Sequence, residues 1–271
     1  MQTTPNSNTR IGHDRQIESD RIGHERQTET ETESDKCERP SQAVLAAVSK
    51  CPSVALSART FFVAWNGVLC LAFSGFPRPL AALKTALLLH PGPPENFGSK
   101  WPKISLAALN DTCSLSQPQF HALTALAASL EPLLHGTLFE IDHLTLVRFH
   151  CRSLESLHAR ARLPLSGSPH PDSFLIDPCH LELVNSVLEE SSDPDYFSKV
   201  SAPGNRIPHY RAPHTEDTLV AYIGESAPAI RHAINLFREA VDALLPGMYQ
   251  WMHPEALHVT ILGMHHRDAW A

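Results

Sequence analysis

Hydrophobic positions along the chain fall into two blocks separated by polar stretches. In the first block, Phe61 to Phe73 (FFVAWNGVLCLAF) predicts a strand pair, or one long strand broken at Asn66-Gly67. Leu80, Leu83, Leu87 and Leu88 recur at helical spacing and predict a helix over 79–89. A strand is expected over 101–109, a helix over 117–134, and strands over 137–149 and 158–165. The second block opens with a strand over 217–224. Ser226 is a good N-cap for a helix with Pro228 in its first turn. Ile230, Ala233, Ile234, Phe237, Val241 and Leu244 line one face of that helix, and Pro246-Gly247 ends it. The last strand-like segment runs from Trp251 to Gly263.

The polar stretches set the organisation. Residues 1–40 are nearly free of large apolar groups and carry a short duplication, starting at Arg10 and again at Arg21. Such a tail cannot bury enough surface to offset its ordering entropy and is expected to be disordered. A short helix is expected within 41–57. The blocks are a first lobe over 58–165 and a second over 217–271, joined by an irregular Pro/Ser/Asp-rich linker over 166–216 with a short helix near 180–190. Both blocks repeat a strand–helix–strand order. Aligned, WPKISLAAL sits where ALHVTILGM sits, so Lys103 falls on His258 and Ser105 on Thr260.

Composition narrows the function classes. A formal charge of −7 argues against a large nonspecific nucleic-acid surface and is compatible with a small phosphodiester site. No apolar run approaches the roughly 18–20 residues that span a bilayer, so no membrane partner is expected. The six cysteines are scattered without a C-x-x-C pair, which points to reduced thiols and an intracellular, cytoplasmic or nuclear, setting. Of the seventeen histidines, His265-His266 and His209/His214 lack ligand-like spacing. They read as solvated loop residues, and no metal or cofactor is expected.

The chemistry centres on His258-Val259-Thr260. Side chains alternate along a strand, so His258 and Thr260 share one face while Val259 and Ile261 pack on the other. An imidazole beside a hydroxyl on a rigid strand suits holding and protonating a phosphate oxygen. An ordinary half-buried strand gives the same spacing. His143-Leu144-Thr145-Leu146 is a second literal His-x-Thr-x, with Asp142 or Arg148 as neighbours of the histidine. Lys103/Ser105 is the partner the internal repeat favours, but a lysine makes a poor base unless heavily desolvated.

The string YQWMHPEALHVTILGM closely resembles the first signature of the 2H phosphoesterase superfamily, the LigT-like or 2′-5′ RNA ligase/cyclic phosphodiesterase proteins. The matching residues are Trp251, Pro254-Glu255, Leu257, His258, Thr260 and Gly263. Phe139-Glu-Ile-Asp-His-Leu-Thr-Leu146 and Leu163-Pro-Leu165 resemble trailing strands of the same family. The resemblance implies an α+β fold of two pseudo-symmetric lobes of mainly antiparallel sheet, with helices outside and a central cleft. It implies acid/base chemistry on 2′,3′-cyclic or 2′-5′ phosphodiesters of RNA or nucleotides, without a metal, and an RNA end or cyclic nucleotide as partner. His258 and Thr260 would act with Lys103 and Ser105, or alternatively with His143 and Thr145. The family continues beyond its first motif, whereas this chain stops eight residues past Gly263, so the resemblance implies a permuted or truncated form. A catalytically degenerate RNA or nucleotide binder and a non-catalytic interaction domain are the other readings.

Overall fold

A computed structural model describes residues 38–88, 99–167, 171–224 and 227–271. The expected disordered tail therefore lies outside the described residues up to residue 37, as does Ser226. Chain reversal at Asn66 and Gly67 (φ 64° and 77°) joins β1 (Val54–Val63) to β2 (Leu69–Phe73) as an antiparallel pair. Glycine and asparagine are the residues that tolerate this left-handed backbone. The pair begins seven residues earlier than its apolar run suggests, because the expected helix over 41–57 is confined to α1 (Gln42–Val48), capped by Ser41.

α2 (Arg78–Leu88), β3 (Lys103–Leu109) and α3 (Gln117–Leu130) follow, with Ser116 and Gln119 closing a capping box on α3. The segment 137–149, expected as one strand, breaks at Asp142 into β4 (Leu138–Ile141) and β5 (His143–Phe149). After β6 (Leu157–Pro164) the linker is more helical than its composition suggests. It forms α4 (Pro178–Glu190), α5 (Tyr196–Ser201) and α6 (Ile207–Arg211). Asp177 caps α4 through the amides of Cys179 and His180, and Pro178 occupies its first position. Then come β7 (Glu216–Tyr222), α7 (Pro228–Leu244), β8 (Tyr249–Trp251), β9 (His258–Met264) and α8 (His266–Ala269). The final strand-like segment is thus also two strands, separated by a 3-10 turn at Pro254–Ala256.

The strands build two antiparallel sheets in an α+β architecture, ordered β4-β1-β2-β3-β8 and β6-β5-β7-β9. The chain crosses between them at Asp142, through α7 between β7 and β8, and at residues 252–257. β5 and β6, from the N-terminal block, hydrogen-bond beside β7 and β9. A two-stranded ribbon is marginal alone, and the added strands give it a face wide enough to bury.

One apolar core joins both sheets to α2, α3 and α7. Phe61 of β1 stacks on Phe237 of α7 with ring centroids 4.3 Å apart. Ile230, Ala233, Ile234, Phe237 and Val241 are buried as the helical spacing predicts, but Leu244 is exposed because the chain turns away at Leu245–Gly247. The reverse face of the first sheet carries a second cluster, Phe62, Val68, Cys70, Ala72 and Trp101, covered by Val184 of α4. At the C terminus, Trp270 donates to the buried Asp217 carboxylate (2.6 Å), which Arg148 also bonds (3.0 Å). No described helix is long and apolar enough to cross a membrane.

Removing the Phe61–Phe237 stack tests this core. Phe237→Ala is expected to lower unfolding free energy by about 3–5 kcal/mol, read from the midpoint of a denaturant titration.

Candidate functional site

Alternation along β9 works as the apolar pattern requires. Val259 and Ile261 are buried in the core while His258 and Thr260 are half-buried on the other face. A register shift between Leu219 and Val220 makes Ile261 an extra residue in the ladder, so Ile261 and Leu262 both pack inward. β7 pairs Val220 with Thr260 and Tyr222 with His258.

On the opposite edge of β7, Val220 also pairs with Thr145 of β5. Leu144 and Leu146 enter the core, so Thr145 and His143 face the same way as Thr260 and His258. Thr145, Val220 and Thr260 form one row across the sheet. Continuing the β5–β7 register by two residues sets His143 opposite Tyr222, in the row of His258. β5 and β9 are both antiparallel to β7, so the two His-x-Thr segments run in the same direction. Two strand spacings separate them, about 10 Å between Cα atoms.

The two imidazoles are held differently. His258 Nδ1 donates to the Ala256 carbonyl (2.7 Å) in the Pro254–Ala256 turn, leaving Nε2 as the basic nitrogen. Burial is the main influence on this ring and lowers its pKa to about 4, with the Ala256 contact opposing, so His258 is neutral at neutral pH. His143 Nδ1 lies against the Asp142 carboxylate, with Arg162 Nη2 3.1 Å from the same nitrogen. The hydrogen bond to His143 is the largest influence on Asp142 and holds its carboxyl below the usual range. Arg148 turns to the opposite face, where it pairs with Asp217. Of the two expected neighbours of His143, only Asp142 touches it.

Residues that pattern reading passed over position the crossover into β9. Glu155 accepts from Arg211 Nε (2.6 Å) and Nη2 (2.9 Å), from Ser153 Oγ (3.1 Å) and from the His253 amide (2.8 Å). Arg211 also donates to the Trp251 carbonyl (3.0 Å). The Arg211 hydrogen bond keeps the Glu155 carboxyl low. Glu155 and Arg211 are 56 positions apart, and no local spacing announces such a pair.

Lys103 and Ser105 lie on the first sheet instead, opposite Ala72 and Cys70. Lys103 Nζ sits 4.5 Å from the Trp101 ring centre, beside the cluster that α4 covers. Burial is the largest influence on Lys103 and lowers its pKa, with Cys70 opposing and Lys84 adding to the effect. β3 and β9 approach one another, but Lys103 and His258 belong to different sheets.

Two of the loop histidines, His214 and His266, have side-chain partners while their side chains remain exposed. His214 pairs with Glu216 (2.7 Å), and His266 contacts Arg148 and lies 3.4 Å from Asp217. Among the described residues no cluster of three or more His, Cys, Asp or Glu side chains is arranged to hold a metal ion. Comparison with protein-family models, with curated proteins and with solved structures finds no match to this chain.

Proposed function

We propose that the chain is a 2H-type phosphoesterase acting on 2′,3′-cyclic or 2′-5′ phosphodiesters of RNA or nucleotides. The observation that carries this reading is the shared face of His143-x-Thr145 and His258-x-Thr260, aligned in register on either side of β7. The sheet orders add support. β3 follows α2 and pairs with β2, the strand before that helix; β9 comes after α7 and the intervening β8 and pairs with β7, the strand before α7. These corresponding positions fit the two similar lobes that the family has. One departure stands: the second imidazole comes from the same sheet as the first, not from the lobe carrying Lys103.

In hydrolysis of a cyclic phosphodiester, His258 Nε2 accepts a proton from the attacking water. The water oxygen bonds to phosphorus, the P–O bond to one ribose oxygen breaks, and that oxygen takes a proton from His143. Thr145 and Thr260 donate hydrogen bonds to the non-bridging oxygens. The covered position of Lys103 supports a second reading, a relative that binds RNA ends or nucleotides without turnover.

Turnover of 2′,3′-cyclic mononucleotides separates these readings. His258→Ala and His143→Ala are each expected to lower kcat about 10²–10⁴-fold, while Lys103→Met retains activity. Nucleotide binding without turnover in the wild type would establish the binder, and neither property would leave an interaction domain. Acidity gives an independent check. Because the His258 pKa is depressed to about 4, kcat/KM should rise with pH through about 4 and not through the usual histidine range near 6.5. The same depression makes the folded state lose stability as pH falls below about 6.5 and on through the folded pKa. His258→Asn should remove that part of the acid sensitivity in pH-dependent denaturant titrations.

A further inference from the structure

Between the two His-x-Thr segments stands a side chain that the scheme above does not use. Tyr222 of β7 pairs with His258 of β9, and the continued β5–β7 register sets His143 on its other flank. Its ring meets the His258 ring edge-on, with 6.0 Å between centroids and 64° between planes. Flat rings favour that arrangement at such a distance. The tyrosine ring also packs against the apolar cluster of Val147, Phe149, Leu154 and Val220, which anchors it to the sheet. Tyr222 Oη is buried and has no hydrogen-bond partner among the described residues, so the ring, not the hydroxyl, is what this residue contributes to its surroundings.

His258 needs more than one contact to hold a direction. Its Nδ1 bond to the Ala256 carbonyl fixes one ring atom and the tautomer, and it leaves the ring plane free to swing about that bond. An anchored edge against the ring removes the swing and keeps water from that side. No charged neighbour does this instead. Burial is the largest influence on His258, with the Ala256 carbonyl opposing. Glu255 and His253 of the preceding turn, Lys103 of β3 and His143 across the row stand on neighbouring elements, yet none of them is among those influences.

We propose that Tyr222 is a positioning residue for His258: its anchored ring covers one side of the imidazole from water, fixes the imidazole plane and partitions it from His143. The proposal deepens the phosphoesterase reading and rests on it for what the positioning serves. A proton acceptor held in one direction gains in rate, because less freedom is lost on reaching the reactive geometry. The competing explanation is that Tyr222 only fills space. Its loss would then lower stability and leave the surroundings of His258 as they are.

The test follows the His258 imidazole by NMR across pH in the full chain, its signal identified by its disappearance in His258→Asn. In the wild type the ring should titrate at about 4. Tyr222→Phe keeps the ring contact and should leave that midpoint in place. Tyr222→Ala opens one side to water and should raise the midpoint by about one pH unit or more, a tenfold change in proton affinity. If Tyr222→Ala does not fold, Tyr222→Leu keeps apolar bulk without a flat edge and should move the midpoint in the same direction. On 2′,3′-cyclic AMP at neutral pH, either of these two variants should lower kcat about tenfold or more with KM little changed, while Tyr222→Phe keeps the wild-type rate. The acid limb of kcat/KM should move up with the midpoint. A midpoint unmoved by Tyr222→Ala and Tyr222→Leu, or moved as far by Tyr222→Phe, overturns the proposal, as does a moved midpoint with kcat at the wild-type level. A wild type that turns over no cyclic nucleotide ends the phosphoesterase reading, and the titration alone then decides whether Tyr222 covers His258.

Discussion

The antiparallel ladder on both edges of β7 is the constraint on which the candidate site depends. Its pairing with β5 and β9 through the same residue, Val220, puts Thr145 and Thr260 in one row. A slip of one residue on either side would turn that His-x-Thr into the core and its leucines or valine outward. The buried Leu144, Leu146, Val259 and Ile261 resist such a slip, since each prefers the core. Apolar packing on one face thereby sets where the polar side chains stand on the other, and the bulge at Ile261 lets β9 bury an additional residue without disturbing the row.

That ladder also needs its ends held. β9 enters from the first sheet through residues 252–257, a stretch with only one turn of 3-10 helix. Glu155 and Arg211 fasten it by bonding the His253 amide and the Trp251 carbonyl, and they tie α6 to the same place. The helical linker therefore does two jobs. Its α4 covers the face bearing Cys70 and Trp101, and its α6 steadies the turn whose Ala256 carbonyl orients His258.

Local periodicity made most elements legible: α2, α3, α7, β3, β6, β7 and β9 lie where spacing of apolar residues puts them. The breaks were not legible. At Asp142 and across Pro254–Ala256, one apolar run serves two sheets, and no local signal separates a continuous strand from one that changes sheets. The linker misled for a related reason. Its Pro, Ser and Asp residues read as irregular coil, yet Asp177 and Pro178 serve as a helix start that only the covered sheet face completes. At the site, the same-face rule foresaw each His-x-Thr, but the alignment of the two depends on a long-range register. The internal repeat favoured Lys103, whose strand β3 belongs to the first sheet and approaches β9.

The two imidazoles differ in what stands behind them. A carbonyl dipole behind His258 fixes the tautomer without supplying a counter-charge, so burial prevails and the ring stays neutral. A carboxylate, that of Asp142, stands behind His143, and Arg162 borders the pair. Two identical motifs on parallel-running strands would otherwise be interchangeable. Under the proposed reaction, their unequal surroundings would assign His258 the part of acceptor and His143 the part of donor, so a proton taken from water on one side of the phosphate would be matched by one delivered on the other.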